Sequence, residues 1–290
     1  PEIDEILWEI WNTHTAPVSE EEDRKGLERL RASLRASRVR TLPRRVLRYA
    51  SMAAAVVLVF LGGYFSATQM LRPVEEVTLL TAKGHVGEFT LPDGTKVWLN
   101  SSSSVEYVAP FFSRQRRVKM EGEAYFEVEH DARRPFVVVT GQVASTVLGT
   151  TFNVHAYSED ENFQITLATG SLLVDGGPES RSVRLRPGEQ GFFEKTSGLL
   201  SLRRVNVEHV LSWQEDRLYF RAEPLASIAR SLERQFNVSI AIPDERLRRI
   251  CFTGEFVEGE NIHEIMRIIS ADSRILCRSR KNHFELYRNR

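Results

Sequence analysis

The chain has 290 residues, of which 39 are basic, 39 are acidic and 42% are hydrophobic. This length fits about two domains with a substantial core. Zero formal net charge argues against a protein that coats nucleic acid, since such proteins are strongly basic. Two cysteines are too few for a disulfide-rich scaffold or a four-cysteine zinc site. The mean hydropathy of −0.28 excludes a polytopic membrane protein.

Residues 1–48 begin with an apolar stripe at helical spacing. Its members are Ile3, Ile6, Leu7 and Ile10, with Trp11 extending the stripe and Trp8 beside it. A capping box at Ser19 to Glu22 predicts a second helix. Two short helices bury little area, so an uncovered stripe is an aggregation hazard. The favoured interpretation is that this stripe binds in a groove of a cytoplasmic partner. The alternatives are a helical hairpin packed on itself and a fragment that lacks its start.

Residues 49–71 carry no charge and have the length of a membrane span. Because 48 residues precede them, a signal anchor is favoured over a cleaved signal peptide, and a buried core helix is the other alternative. The positive-inside rule sets the orientation through the arginines before the span, which are Arg38, Arg40, Arg44, Arg45 and Arg48. We therefore expect residues 1–48 to lie in the cytoplasm and the chain after Arg72 to lie outside it.

Residues 72–205 are predicted to form an all-β domain, because short segments rich in Val, Phe, Tyr and Thr recur about every ten residues. The predicted strands are residues 86–91, 97–99, 118–120, 125–128, 136–140, 143–148, 152–157, 163–168 and 172–174. The sequence LPDGT at residues 91–95 predicts a hairpin turn, since proline presets one φ and glycine takes the positive φ. The spacing fits a sandwich, a barrel or a β-solenoid-like module.

Residues 206–290 are predicted to form a small α+β domain. Apolar residues at helical spacing predict one helix that starts at Pro224 and another that is capped by Asn261. The predicted strands are residues 238–242, 250–256, 275–278 and 284–287. The fold class of the whole chain is therefore mixed: a short helical segment, one transmembrane helix, an all-β domain and a small α+β domain.

Several motifs in the β domain resemble those of the FecR family. They are LPDGTKVWLN at residues 91–100, EGEAYFEV at 121–128, RPF at 134–136, VLGTTFNV at 147–154 and LRPGE at 185–189. Their order and spacing match the family over about residues 78–190. The segment from about Leu218 is similar to the C-terminal domain of Bacteroidetes-type members, which itself resembles the short N-terminal domain of secretins and TonB-dependent receptors.

The resemblance implies a single-pass inner-membrane anti-sigma factor with its N-terminus in the cytoplasm and its C-terminus in the periplasm. The implied partners are an extracytoplasmic-function sigma factor and the signalling domain of a TonB-dependent outer-membrane receptor. If the sigma factor is released by proteolysis near residues 49–71, an intramembrane protease is a third implied partner. Residues 1–48 lack the full motif set of the best-known proteobacterial anti-sigma domain, so the sigma-binding role of Trp8, Trp11 and the isoleucine stripe is inferred from their chemistry.

The resemblance also implies one reaction, which is self-cleavage between Gly149 and Thr150. The Thr150 hydroxyl would attack the Gly149 carbonyl and form an ester that water opens, aided by backbone strain. The alternative is an ordinary turn or bulge with the hydroxyl in a hydrogen bond. We expect no cofactor and no direct nucleic-acid contact. We also expect no metal site, since the histidines lack the spacing of metal ligands. Glu121 and Glu123 would share one strand face, but an enzyme acting on an external substrate is disfavoured.

The alternative function is a membrane-anchored module that binds carbohydrate or another envelope component. Aromatic side chains that could stack on sugars are Trp98, Tyr107, Phe111 and Phe112. This alternative leaves the apolar stripe in residues 1–48 unexplained. Cys251 and Cys277 both follow the span, where a disulfide is permitted. Two buried free thiols are favoured over a disulfide, because spacing along the chain does not fix the distance between the two Cα atoms.

Overall fold

The structure is a computed structural model that describes residues 8–9, 20–36, 44–70, 75–109, 114–177, 181–257 and 259–289. The chain divides into two compact units, Pro1–Arg72 and Pro73–Arg290. The second unit contains the predicted β domain and the predicted C-terminal domain, and these names are kept below.

Two helices form most of the described part of the first unit. Helix α1 spans Glu20–Ala36 and helix α2 spans Arg44–Met70. Within α2, the side chains of residues 52–65 are exposed. Among the residues described, none of the helices combines the length and the apolar character that crossing a membrane requires.

The described part of the β domain contains thirteen strands. They are β1 (Glu75–Leu80), β2 (Gly87–Thr90), β3 (Lys96–Leu99), β4 (Ser104–Ala109), β5 (Arg116–Glu127), β6 (Phe136–Thr140), β7 (Val143–Val147), β8 (Thr151–Ala156), β9 (Asn162–Thr169), β10 (Leu172–Asp175), β11 (Val183–Leu185), β12 (Glu189–Glu194) and β13 (Leu200–Arg204). One sheet has the order β1-β4-β5-β6-β7-β10-β11, and the other has the order β2-β3-β5-β8-β9-β12-β13. The all-β prediction for this domain is confirmed, and the two sheets share strand β5.

Strand β5 passes from one sheet to the other at Gly122. Its first half pairs with β4 and β6, and its second half pairs with β3 and β8. Gly122 has a φ of +101°, and a Cβ at this position would lie 2.6 Å from the Cα of Ser103. Only glycine fits such a site. The prediction of separate strands at residues 118–120 and 125–128 was therefore wrong: the interruption is a bend in one strand and not a turn.

The core of the β domain is a single cluster of buried side chains from both sheets. Three phenylalanines from the family-like motifs meet at its centre. Phe126 stacks on Phe152 with ring centroids 5.1 Å apart and packs against Phe136 at 6.0 Å. Each ring is fully buried, and removing such a ring from water stabilises a fold by about 2–3 kcal/mol. The motifs thus supply much of the packing that joins the sheets.

The C-terminal domain is a small α+β unit, as predicted. Its elements are α3 (Val207–Leu211), a 3₁₀ helix (Ser212–Glu215), β14 (Leu218–Pro224), α4 (Leu225–Phe236), β15 (Ser239–Ala241), α5 (Glu245–Arg248), β16 (Cys251–Phe256), α6 (Ile262–Ile269), β17 (Ile275–Arg280) and β18 (His283–Arg288). Strand β14 pairs with β16, and β18 lies between β15 and β17. Helices α4 and α6 bury Leu225, Leu232 and Ile265 in a second core cluster.

The ends of these two helices follow local chemistry. Asn261 accepts hydrogen bonds from the backbone N–H groups of His263 and Glu264, and Glu264 accepts one from the N–H of Asn261, which is the capping box that starts α6. Pro224 is the last residue of β14 and immediately precedes α4. The helix therefore begins one residue later than predicted.

Candidate functional site

The predicted turn at residues 91–95 holds a buried ion pair. Asp93 accepts hydrogen bonds from the N–H and the hydroxyl of Thr95 at 3.1 and 2.8 Å. Its Oδ2 also lies 2.8 Å from Nη1 of Arg116, and both side chains are buried. Arg116 further donates to the carbonyl oxygens of Arg134 and Glu129 at 2.9 and 2.8 Å. This pair fixes the turn against strand β5 and is a structural feature.

A second polar cluster is centred on the buried carboxylate of Glu123. Its two oxygens accept hydrogen bonds from the side-chain amides of Asn100 and Asn153 at 2.8 and 2.9 Å. His155 lies between two carboxylates: Nδ1 is 3.4 Å from Oε2 of Glu123, and Nε2 is 3.0 Å from Oδ2 of Asp160. Glu123 on β5 is directly opposite His155 on β8, so the sheet register itself places this pair.

The charges in this cluster stabilise one another against burial. Burial alone lowers the pKa of His155, but the charge of Glu123 and hydrogen bonds to both carboxylates raise it to about 9. Burial raises the pKa of Asp160, but hydrogen bonding to His155 and the nearby arginine charges bring it well below its usual value. Burial likewise opposes ionisation of Glu123, and the charge of His155 holds its pKa below the ordinary value. At neutral pH a protonated imidazole therefore bridges two carboxylates.

Helix α4 of the C-terminal domain contributes two arginines to this cluster. Nε of Arg230 lies 2.7 Å from Oδ1 of Asp160, and Nη1 of Arg234 lies 2.7 Å from Oε1 of Glu159. Arg234 is only 7% exposed and lies over the ring of Tyr157, with its guanidinium carbon 3.7 Å from the ring centroid. Arginines four residues apart share one helix face. We call Arg230, Arg234, Glu159 and Asp160 the arginine clamp.

Two further contacts join the β domain to the C-terminal domain. The indole N–H of the buried Trp213 donates to Oδ1 of Asn153 at 3.3 Å. The backbone N–H of Gly84 donates to the carbonyl oxygen of Arg234 at 2.9 Å. Asn153 thus bonds Glu123 through its amide nitrogen and Trp213 through its oxygen. The polar cluster is a continuous connection between the two domains.

A cleft of about 750 Å³ opens at this junction and is lined by both domains. Glu123, His155 and Asp160 line one part of it, and Arg203 and Tyr219 line another. We call it the interdomain cleft. Its volume is within the usual range for sites that bind small molecules.

The described residues contain no group of three or more His, Cys, Asp and Glu side chains placed to hold a metal ion. Cys251 is an exposed free thiol, and Cys277 is a half-buried one. Burial raises the pKa of the Cys277 thiol.

The predicted self-cleavage bond lies in the loop between β7 and β8. Thr150 is buried, and its hydroxyl donates to the carbonyl oxygen of Ser171 at 3.2 Å. Gly149 packs against His130 so closely that a Cβ would lie 2.8 Å from the Cα of the histidine. Gly149 does not have a positive φ. This geometry fits the alternative interpretation, in which the segment is an ordinary turn with the threonine hydroxyl in a hydrogen bond. Cleavage between Gly149 and Thr150 stays a prediction.

The prediction that Glu121 and Glu123 share one strand face was wrong. Glu121 is exposed and Glu123 is buried, because the positive φ of Gly122 interrupts the alternation between them. The two side chains do not form the facing pair that a glycosidase would need.

The structure describes few of the predicted N-terminal site residues. Trp8 is helical and 71% exposed. Those outside the described residues are Ile3, Ile6, Leu7, Ile10, Trp11, Arg38 and Arg40. Arg44, Arg45 and Arg48 belong to helix α2.

The residues that join the two domains were not predicted from the sequence. His155 was interpreted as an isolated strand histidine, and Asp160, Arg230 and Arg234 were not among the predicted site residues. The two arginines at i and i+4 on an amphipathic helix were a weak signal. Nothing local connects Asp160 with Arg234, which follows it 74 positions later.

Comparisons with known proteins cover both domains. The FecR protein family matches residues 77–173, and the family of the FecR C-terminal domain matches residues 217–285. Two crystal structures of a candidate anti-sigma factor from Parabacteroides distasonis ATCC 8503 are each 33% identical, with a TM-score of 0.70, over 74% of this chain and 100% of theirs. No curated protein matches the chain. The motifs, the two family matches and this similarity agree, and the chain belongs to the FecR family.

Proposed function

We propose that this protein is a single-pass inner-membrane anti-sigma factor. It sequesters an extracytoplasmic-function sigma factor and transduces a periplasmic signal from a TonB-dependent outer-membrane receptor. The observation that carries the proposal is the 33% identity to a candidate anti-sigma factor over the whole of that protein's solved chain. The β domain and the C-terminal domain form the signal-receiving part.

Residues 1–48 are the sigma-binding segment in this proposal. Trp8 is helical and 71% exposed, so its indole is available to a partner. Exposed tryptophans are frequent hot spots when they fill a pocket on a partner. The stripe of Ile3, Ile6 and Ile10 would accompany it as one face of a helix in a groove.

Residues 49–71 are the membrane anchor in this proposal. The segment carries no charge, and large apolar side chains within it, such as Val59 and Phe60, are 74% exposed. Apolar surface of this extent is unfavourable in water and favourable in a lipid environment. The arginines before the segment would keep residues 1–48 in the cytoplasm. An intramembrane protease that cuts within or beside this segment would release the sigma factor.

The C-terminal domain is the contact for the receptor's signalling domain in this proposal. In the described part of the chain, strand β17 pairs only with β18 and strand β14 only with β16. Free strand edges are templates for pairing with a partner. The arginine clamp then connects any such partner to the β domain.

The test is affinity purification of the tagged full chain from membranes of cells that produce it, followed by mass spectrometry. Trp8→Ala with Trp11→Ala is the test variant. Lys25→Ala, an exposed position on helix α1, is the matched control. We expect the wild-type chain and the control to recover a sigma factor, and the double variant to lose at least about tenfold of it. Recovery of no sigma factor by the wild-type chain, or equal recovery by the double variant, would contradict the proposal.

A further inference from the structure

The C-terminal domain contains a regular strand with one free edge. Strand β17 pairs with β18 on one side, and no described strand lies on its other side. Its pairing with β18 keeps one register from Ile275 to Arg280. The free edge of such a strand presents backbone N–H and C=O groups that an added strand can bond. Strand β17 is therefore a template for one more strand of its sheet.

Strand β14, the other free edge named above, is a poorer template. Its register with β16 shifts between Phe220 and Glu223, and Ala222 has a φ of +49°. The strand ends at Pro224, which has no N–H to donate. An irregular backbone interrupts the ladder of hydrogen bonds that an added strand requires. Of these two edges, β17 is the one that a partner strand can follow over its whole length.

The side chains of β17 alternate between the two faces of its sheet. Ile275 is buried in the core of the domain, whereas Leu276, Arg278 and Arg280 belong to the opposite face and are exposed. An added strand beside β17 would place every second side chain about 5 Å from these three residues. The exposed face of β17 therefore determines which residues the added strand needs at alternate positions.

Positive charge dominates this part of the domain after its acidic groups are counted. Residues 261–289 comprise helix α6 and strands β17 and β18, and they contain six basic and three acidic residues. The six basic residues are Arg267, Arg274, Arg278, Arg280, Lys281 and Arg288. Helix α6 and strand β18 are the elements that pack most closely against β17, so the charges that flank the edge are included in this count.

The three acidic residues neutralise only part of this charge. Glu264 accepts the hydrogen bond that caps helix α6. Oδ2 of Asp272 lies 2.6 Å from Nη2 of Arg274, so these two charges pair with each other. Oε2 of Glu285 lies 4.0 Å from Nη1 of Arg278, and the arginine side chain is still 73% exposed. None of the three carboxylates covers the free edge of β17.

Two arginines of β17 and the lysine that follows them remain available to a partner. The guanidinium carbon of Arg278 is 5.6 Å from the ring centroid of Tyr287, which is near the limit for such a contact. Arg280 and Lys281 are exposed and form no ion pair within the described residues. Carboxylates on an added strand would form charge-assisted hydrogen bonds with these donors.

We propose that the free edge of β17 binds an acidic β-strand of a partner. The strand places carboxylates at two alternate positions, beside Arg278 and Arg280, and an apolar side chain at the next alternate position, beside Leu276. Leu276 is 39% exposed, so the apolar side chain removes its surface from water. This inference deepens the proposed function and rests on it only for the identity of the partner, since the receptor's signalling domain would present the strand.

A second copy of this chain is a poor occupant of the same edge. Pairing of β17 with its own copy would bring Arg278 and Arg280 close to the same arginines of the copy. Like charges opposite each other destabilise a strand pair. Charged side chains on an edge strand also protect a protein from such self-association. Protection alone predicts no binding of an acidic strand, which the following test measures.

The test uses the full chain in non-ionic detergent micelles and measures binding by fluorescence anisotropy. The probe is a fluorescein-labelled heptapeptide, Val-Thr-Glu-Thr-Glu-Thr-Val, which presents the same pattern in either strand direction. One control peptide has lysine in place of glutamate, and another is N-methylated at alternate amides. A labelled thymidine heptanucleotide tests charge without β-structure. Hydrogen exchange of residues 275–280 locates the bound peptide.

The test variant is Arg278→Glu with Arg280→Glu. A milder variant, Arg278→Gln with Arg280→Gln, removes the charges without reversing them. The matched control is Arg246→Glu with Arg249→Glu, which changes two exposed arginines of the same domain outside the sheet. Circular dichroism establishes that each variant is folded, as expected for substitutions of exposed side chains.

We expect saturable binding of the glutamate peptide, weakened about tenfold or more in the test variant and unchanged in the control. The glutamine variant should lose less affinity than the test variant. N-methylation should weaken binding at least about fivefold, because it removes backbone donors. Hydrogen exchange in residues 275–280 should slow at least about fivefold with bound peptide, because the edge amides then donate to its carbonyl groups.

Four results would each overturn the proposal: no binding of the glutamate peptide by folded wild-type chain, equal binding of the lysine peptide or the oligonucleotide, equal binding by the test and control variants, or binding without slower exchange in β17. A sigma factor recovered from membranes together with a failed peptide test would remove only the proposed strand site. Peptide binding without any recovered sigma factor would remove only the proposed function.

Discussion

Single residues decide where the β domain bends and where its buried charges lie. Gly122 allows strand β5 to change sheets and places Glu123 inside the molecule. Glu123 then requires partners, and Asn100, Asn153 and His155 supply them. A buried carboxylate is tolerated only when such partners are present. The family-like motifs at residues 91–100, 121–128 and 147–154 contribute Asn100, Glu123 and Asn153 to this arrangement.

Gly122→Ala should lower the free energy of unfolding by about 3 kcal/mol. The φ of +101° is unfavourable for alanine, and the new Cβ would press on the backbone of Ser103. Gly188→Ala is the matched control, because Gly188 has a φ of +82° with open space around it. The control therefore measures the cost of a positive φ for alanine without a steric clash. Urea unfolding followed by tryptophan fluorescence measures both. Equal losses in the two variants would contradict the role given to the close approach of Ser103.

The stability of the molecule should fall in alkaline solution through His155. Its pKa rises from an ordinary value of 6.5 to about 9 in the folded state. The stabilisation is therefore complete below about pH 6.5 and is lost as the pH rises through about 9, with a size of about 3 kcal/mol. His155→Asn should remove this slope, which unfolding free energies measured from pH 6 to 10 will show. An unchanged slope in the variant would assign the loss to another group.

At the scale of elements, the predicted cleavage bond lies just before strand β8. Strand β8 pairs with β5 on one side and with β9 on the other. Cutting between Gly149 and Thr150 would thus leave both strand pairings intact. The two fragments would stay together in the folded protein and separate only on unfolding.

If the bond is cut, purified wild-type chain should give two bands on a denaturing gel and one species on size exclusion. Thr150→Ala should give one band, since the attacking hydroxyl is gone, and Thr150→Ser should restore cleavage. Mass spectrometry of the fragments identifies the bond. A wild-type chain that remains a single band after prolonged incubation would show that Thr150 has the structural role of donating to Ser171.

The elements that could be predicted from sequence are those with local signals. The turn at residues 91–95 and the cap at Asn261 depend on residues within four positions of each other, and both are present. Strand β14 was not predicted, because its pattern is irregular: its register shifts between Phe220 and Glu223. The continuity of β5 was missed because a glycine with positive φ has the same sequence signature as a turn.

At the scale of the whole molecule, the arginine clamp is one of the connections between the β domain and the C-terminal domain. The sequence could not predict it, because ion pairs between residues about 75 positions apart leave no local periodicity. The domains themselves were predicted from strand spacing and helical stripes, which are local. The candidate site lies where the two domains meet, and so it required the structure.

Arg234→Gln should lower the free energy of unfolding by about 3 kcal/mol, since it leaves Asp160 with an incomplete set of partners in a buried setting. It should also make the C-terminal domain more sensitive to limited proteolysis. Arg248→Gln is the matched control, because its ion pair with Glu245 is exposed and contributes less than about 1 kcal/mol. Urea unfolding and proteolysis rates measure both effects. Equal stability of the two variants would show that the clamp does not hold the domains together.

The most direct test of the central claim is transcription from a promoter of the sigma factor captured with this chain. We predict that the full chain keeps reporter expression low. Deletion of residues 1–48, or Trp8→Ala with Trp11→Ala, should raise expression at least about tenfold, while Lys25→Ala should not. Immunoblotting establishes equal protein levels. Reporter expression that is the same with the full chain, without it and with residues 1–48 deleted would contradict the assignment of this protein as an anti-sigma factor.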